Sequence, residues 1–250
     1  PPHGGIALGA GGRERMALAR RELSENWARG DQDIDIIGFS RGAALALHFS
    51  NIIASQGVRD PESHRKIAAK PVIRFLGLWD VVAAFGVPVN LFGIPFQRIN
   101  LGYHLSLPLA VQHCFHAMAL DEQRPAFRVT RVSNAYEVWF RGVHSDVGGG
   151  NENEGLSHIA LRWMFRKAKR VGLPMDEARI PALNAGVNSN APIRPERDLL
   201  AGRYRKVGAG DRVHYTVTNR PGHQNPPASN PRETPEDEVT REARAGSRRR

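Results

Sequence analysis

The sequence predicts an α/β fold, with a mostly parallel central sheet and helices on both faces. Three observations carry that prediction. Asp31-Gln32-Asp33-Ile34-Asp35-Ile36-Ile37 leads into Gly38-Phe39-Ser40-Arg41-Gly42, and Ala43-Ala44-Leu45-Ala46-Leu47 leads out, the order of strand, sharp turn and helix. Pro71-Val72-Ile73-Arg74-Phe75-Leu76-Gly77-Leu78-Trp79 is a near-continuous apolar run, as expected of a strand covered on both faces. Strand-like and helix-like patterns alternate along the chain, which implies parallel strands joined by helical crossovers.

Taken in order, residues 1–12 are rich in glycine (Gly4, Gly5, Gly9, Gly11, Gly12), and His3-Gly4-Gly5 resembles the oxyanion-loop motif of esterases, although no strand pattern precedes it. From Arg13 to Ala28, Met16, Leu18, Ala19 and Leu23 share one helical face, and Gly30 closes the helix. A strand is expected over 34–37 and a helix from Gly42 to Ile53. Residues 59–70 are polar, carry Pro61 and read as a surface connection. After the apolar strand ends at Asp80, residues 86–112 combine Gly, Pro and large apolar groups (Phe92, Phe96, Tyr103, Leu105 and Leu107 among them) and read as a long loop or irregular cap. Residues 127–140 hold further strand candidates, the second running from Tyr136 to Phe140. Leu156, Ile159, Ala160, Trp163, Met164 and Ala168 mark an amphipathic helix that Gly172 and Pro174 end. Beyond Pro221 the composition turns to Pro, Asn, Ser, Arg and Glu, which predicts disorder. The expected organisation is one catalytic domain over 1–220 and a disordered basic tail over 221–250. A start at Pro1-Pro2-His3-Gly4 reads as a fragment lacking a strand at its N-terminus.

Composition narrows the function classes. The formal net charge is +10, and fourteen Lys and Arg against eight Asp and Glu fall from Arg179 onward, so the basicity gathers in the last third. That tail has no interleaved aromatic residues and is interrupted by Glu236-Asp237-Glu238, so a solvated tail is favoured over a nucleic-acid-binding one. No apolar run approaches the roughly 20 residues of a membrane span, and no signal-peptide pattern is seen. The single cysteine, Cys114, excludes an internal disulfide and sits among apolar residues as a buried thiol. No Cys/His spacing suits zinc, so neither metal nor cofactor is expected.

Gly38-Phe39-Ser40-Arg41-Gly42, between strand and helix, reads as a nucleophile elbow. Its turn strains the serine backbone, so Gly38 and Gly42 are expected to be small for steric reasons. It presents the hydroxyl at a helix N-terminus, where the Arg41 N–H can stabilise an oxyanion. Ser40 needs a base to take its proton, and a base needs a carboxylate to hold its tautomer. His144 follows a strand and precedes a glycine-rich turn, and Asp80 follows a strand; Ser40, Asp80 and His144 stand in the triad order of α/β hydrolases. Asp146 competes as the acid but is better placed to order Gly148-Gly149-Gly150. His116 and Asp121, with Glu122, form a polar cluster read as support. His48 reads as packing within the helix.

Four blocks carry a family resemblance: Ile36-Ile37-Gly38-Phe39-Ser40-Arg41-Gly42-Ala43-Ala44; Phe75-Leu76-Gly77-Leu78-Trp79-Asp80-Val81-Val82; His116-Ala117-Met118-Ala119-Leu120-Asp121-Glu122 with Arg124 and Phe127; and Val138-Trp139-Phe140-Arg141-Gly142-Val143-His144-Ser145-Asp146-Val147-Gly148-Gly149-Gly150. In this order they resemble the α/β-hydrolase domain of bacterial type VI secretion phospholipase effectors. The resemblance implies a serine hydrolase with Ser40 as nucleophile, Asp80 as acid and His144 as base. It implies a lipid or other ester substrate, contact with a membrane surface, and a secretion-apparatus or immunity protein as partner. It further implies synthesis in the bacterial cytoplasm with delivery into a target cell. The family's first strand, with a Phe-Asp-Gly-Thr-like segment that supplies a second oxyanion donor, has no counterpart in this sequence. Two competing readings are a catalytically silent module that keeps the fold for binding, and a basic nucleic-acid-binding protein, whose affinity would fall steeply with salt.

Overall fold

Six parallel strands form the sheet in the computed structural model, which describes residues 10–60, 62–83, 104–151, 154–193, 205–219, 226 and 228–239. In chain order the elements are α1 (Ala10–Ala28), β1 (Ile34–Phe39), α2 (Arg41–Gln56), β2 (Val58–Arg59), β3 (Lys66–Ala68), β4 (Ile73–Trp79), β5 (Val111–Ala119), β6 (Tyr136–Phe140), α3 (His144–Gly148), α4 (Gly155–Arg170), α5 (Ile180–Gly186), β7 (Arg212–His214), β8 (Arg232–Glu233) and α6 (Pro235–Val239). The sheet order is β1-β4-β5-β6-β7-β8, and every pairing in it is parallel. The short antiparallel pair β2–β3 stands apart and fills the polar connection expected over 59–70.

Alternation along β4 distributes the core. Leu76 and Leu78 join Ala43, Leu47 and Ile53 of α2 on one face, with Leu23 and Trp27 of α1 packed against them. Phe75 joins Phe115, Phe140 and the Leu156, Ile159, Trp163 and Met164 stripe of α4 on the other. Helices therefore cover both faces, as parallel strands require. Arg74 ties β4 to the start of β1: its Nε lies 2.9 Å from Asp35 and its Nη1 2.9 Å from Asp33. Among the described strands β1 is one edge of the sheet and β8 the other, and Ile37 of β1 is 61% exposed.

Three expectations need correction. The run through Val111–Ala119, whose start falls within the expected irregular loop, is the longest of the described strands and lies centrally. Its histidines mask it, because His113 and His116 break the apolar pattern, although the strand is buried from Cys114 to Ala119. Residues 127–135 contribute no sheet strand, only a bridge from Val129 to Val82. Of the loop expected over 86–112, residues 86–103 lie outside the described residues, while Leu105 and Leu107 pack against the α1–α2 core.

The tail is the third. Residues 232–239, expected to be disordered, form β8 and α6; residues 240–250 lie outside the described residues. The reason is charge pairing. Lys167 of α4 is buried and reaches Glu233 at 2.9 Å and the Asp237 carbonyl at 2.7 Å. Trp163 Nε1 donates to Glu233 at 2.8 Å, His214 Nε2 to Glu238 at 2.8 Å, and Arg166 also pairs with Glu238. The acidic run that looked like a solvated tail neutralises the basic end of α4, and burying such charges demands that pairing. Cys114 is buried, as expected, and burial pushes its thiol pKa up.

Candidate functional site

The site is assembled where β1, β4, β5 and β6 end. Phe39 of β1 is in register with Trp79 of β4, so Ser40 and Asp80 follow at neighbouring strand ends. Ser40 N–H donates to the Trp79 carbonyl at 2.9 Å, and Val82 N–H donates to the Ser40 carbonyl at 3.3 Å. Ser40 has φ 58° and ψ −125°, a backbone that a serine adopts only when its surroundings impose it. What imposes it is the abrupt start of α2 at Arg41. A Cβ on Gly38 would lie 2.6 Å from both the Ala43 Cα and the Gly42 carbonyl oxygen, so helix and strand approach as closely as a glycine permits. The steric expectation fails for Gly42: among the described residues nothing lies within 4 Å of a Cβ placed there. The Arg41 side chain is exposed, and its backbone N–H is the first of α2, where an N–H has no partner within the helix.

Asp80 is fully buried, with φ 43°. His144 Nδ1–H donates to Asp80 Oδ2 at 2.5 Å, and Ala119 N–H donates to Asp80 Oδ1 at 2.9 Å. The imidazole lies between two rings: its centroid is 4.5 Å from Phe39 and 4.8 Å from Phe127. Because Phe39 adjoins Ser40, this stacking brings the histidine to the elbow. Gly148 allows it, since a Cβ there would fall 2.0 Å from the Phe39 ring.

The supporting candidates hold the backbone around these groups. Asp146 is not the partner of His144; it accepts from Val143 N–H at 2.9 Å and from Asn151 Nδ2 at 2.5 Å, fixing the loop that carries the histidine. Asp121 accepts from Gly142 N–H at 2.7 Å and Arg141 Nη1 at 3.0 Å. Glu122 accepts from His144 N–H at 3.2 Å. Burial raises the Glu122 pKa, but the hydrogen bonds from Arg124 outweigh it and hold the group below its ordinary value. His116 supports the other strand end: Val81 N–H donates to its Nε2 at 3.1 Å, which leaves Nδ1–H to donate to Glu137 at 2.9 Å. His48 is half-buried in α2 and accepts from His104 N–H at 3.2 Å, a packing role.

Arg205 was not legible in the sequence. Its Nη1 lies 2.6 Å from Asp80 Oδ1 and its Nη2 2.9 Å from Asp80 Oδ2. Burial pushes the Asp80 pKa up, but the Arg205 charge and the His144 hydrogen bond outweigh it, and the carboxyl is held well below the usual carboxylate range. Arg205 belongs to no motif and lies 125 residues from its partner, so only the fold reveals it.

Among the described residues, no group of three or more His, Cys, Asp or Glu side chains could hold a metal ion, and no helix is long and apolar enough to cross a membrane. His3-Gly4-Gly5 lies outside the described residues.

A parallel sheet flanked by helices, with a strained serine between strand and helix and a histidine–carboxylate pair at the adjoining strand ends, defines an α/β-hydrolase-like fold. Residues 59–167 match the model of the family described as "T6SS, Phospholipase effector Tle1-like, catalytic domain", which bears out the family resemblance over that stretch. The matched stretch contains Asp80, His116, Asp121, His144 and Asp146 and begins after Ser40. A solved structure of the Tle1 effector bound to the VgrG spike from the type 6 secretion system is 30% identical, covering 58% of this chain and 31% of that one, at a TM-score of 0.43. An uncharacterized protein from Pseudomonas aeruginosa is 24% identical, covering 70% and 30%, at a TM-score of 0.41. An uncharacterized Saccharomyces cerevisiae protein, YEL023C, is 32% identical over 68 residues, 25% of this chain. The chain spans about a tenth of that yeast relative and under a third of either solved chain.

Proposed function

We propose that this chain is the catalytic part of a serine-dependent lipid-ester hydrolase, with Ser40 as nucleophile, His144 as general base and Asp80 as the carboxylate that orients it. The observation that carries the reading is the buried His144–Asp80 hydrogen bond, with the imidazole packed at a tilt against the ring of Phe39, the residue before the strained Ser40. The hydrogen bond from Nδ1–H to Asp80 leaves Nε2 as the basic nitrogen. Ser40 Oγ attacks the ester carbonyl as its proton passes to Nε2. The Arg41 N–H donates to the developing oxyanion, aided by the N-terminal end of α2. The imidazolium, stabilised by Asp80, then gives its proton to the departing alcohol, which leaves an ester on Ser40. Water, deprotonated by His144, hydrolyses that ester and restores the serine.

Phospholipids as substrates, and delivery through type VI secretion with a secretion-apparatus or immunity protein as partner, are inferred from the family that residues 59–167 match. The direct test is covalent labelling of the purified chain by a fluorophosphonate, wild type beside Ser40→Ala and His144→Ala, followed by release of fatty acid from phospholipid vesicles. Labelling that is lost in both variants supports the reading. Equal labelling of Ser40→Ala sinks it. No labelling of a folded wild-type chain favours the catalytically silent binding module.

A further inference from the structure

Arg205 does more than neutralise a buried carboxylate. Its guanidinium meets acceptors on three separate pieces of the site: both Asp80 oxygens beyond β4, the Ala119 carbonyl at the end of β5 at 2.6 Å, and the Phe127 carbonyl. Phe127 is the residue whose ring packs edge-on against the His144 imidazole, with the Arg124 guanidinium 3.7 Å over its centroid. A single side chain, 7% exposed, therefore fixes both the acid and the ring that backs the base. Its planar fork satisfies two carboxylate oxygens at once, which a lysine cannot do.

The sharing of one oxygen has a chemical consequence. Asp80 Oδ2 accepts from His144 Nδ1 at 2.5 Å and from Arg205 Nη2 at 2.9 Å. A carboxylate already paired with a guanidinium stabilises an imidazolium less, and the guanidinium itself repels the positive ring. The other charged groups near the ring are paired: Glu122, which accepts from the His144 N–H, with Arg124; Asp121 with Arg141; and Glu137, behind His116, with Arg131. Asp146 holds the Val143 N–H. Among the described residues, Arg205 is the cation set directly on the His144–Asp80 pair.

We infer that Arg205 is a positioning residue of this site: it locks the Asp80 carboxylate toward His144 and shares its negative charge, so that removing the guanidinium frees the carboxylate both to swing and to hold the His144 proton more strongly. The inference rests on the proposed roles of Asp80 and His144.

The test uses the full chain and three variants, Arg205→Met, Arg205→Lys and Arg205→Ala, with folding checked by circular dichroism and thermal melting. The first readout is the pH dependence of fluorophosphonate labelling and of ester hydrolysis. In Arg205→Met the acid limb is expected to move up by about 1 pH unit, the lower end of the effect of a neighbouring charge, and the plateau rate to fall about 10- to 100-fold as Asp80 loses its orientation. Arg205→Lys keeps the charge but not the fork, so its acid limb stays near wild type while its plateau falls. Added guanidinium partly restores Arg205→Ala, entering the vacated space. A folded Arg205→Met with an unmoved acid limb overturns the inference, as does a loss that tracks thermal stability alone.

The second readout needs no turnover. It follows the His144 ring signals by NMR against pH, assigned by their absence in His144→Gln. Their midpoint moves up in Arg205→Met if the inference holds and stays in place if it fails. If the wild type neither labels nor hydrolyses, the enzymatic reading fails while this measurement still decides the role of Arg205.

Discussion

Replacing Gly38 with alanine tests whether strand and helix set the serine as argued. The added Cβ meets the backbone of the first turn of α2: Ala43 Cα and the Gly42 oxygen at 2.6 Å, and Ala43 N at 2.8 Å. Ordinary carbon contacts begin near ~3.4 Å, so the first turn of α2 must retreat by about 0.8 Å, because backbone cannot rotate aside as a side chain can. Overpacking of this kind costs about 1–3 kcal/mol of stability. The larger effect falls on the chemistry. The retreat carries the Arg41 N–H and Ser40 with it, and a misplacement near 1 Å costs about 100-fold in rate. The expected result is a thermal midpoint lowered by several degrees and fluorophosphonate labelling slowed about 100-fold in the protein that remains folded. Gly42→Ala is the control, since the space beside Gly42 is open among the described residues and alanine favours a helix by up to about 1 kcal/mol over glycine. Its stability is expected to hold or rise. Gly38→Ala with wild-type labelling, or Gly42→Ala as destabilised as Gly38→Ala, would refute the argument that close approach of strand and helix shapes the elbow.

Asp80→Asn removes the charge that orients His144 and leaves Arg205 buried without a carboxylate; labelling should fall about 10³- to 10⁴-fold, with a stability loss of about 3–5 kcal/mol in urea unfolding. His116→Phe strips the acceptor from the buried Val81 N–H and should cost about 1–3 kcal/mol, again by urea unfolding. Stability should fall as the solution is acidified from pH 7.5 to 4. Glu122, Glu137 and Glu238 have folded pKa values below their unfolded ones, because their hydrogen bonds outweigh the burial that raises them, so their contribution is present above the unfolded value and disappears as pH falls through the folded one. Burial lowers the His214 pKa as well, so its share begins to fade once pH drops below the ordinary histidine value of about 6.5. A urea midpoint that stays flat or rises on acidification would contradict this.

The sequence by itself determined what local pattern can encode. The order of strand, turn and helix around Ser40, the apolar run of β4, the amphipathic stripe of α4 and the positions of Asp80 and His144 at strand ends all follow from periodicity and turn chemistry. Assigning Asp146 to the loop rather than to His144 also follows, because a carboxylate two residues away is better placed to cap the turn. Tertiary structure alone decided the rest. Nothing local marks Val111–Ala119 as the central strand, since His116 within it finds its hydrogen-bond partners only when Val81, just beyond β4, and Glu137 of β6 lie beside it. The acidic run near the C-terminus reads as solvated until Lys167, Arg166 and His214 meet it. Arg205 acquires its role only because the chain returns, 125 residues after Asp80, to the same carboxylate. Backbone pattern is a short-range property and can be read along the chain, whereas the pairing of buried charges is a long-range property that exists only once the fold brings them together.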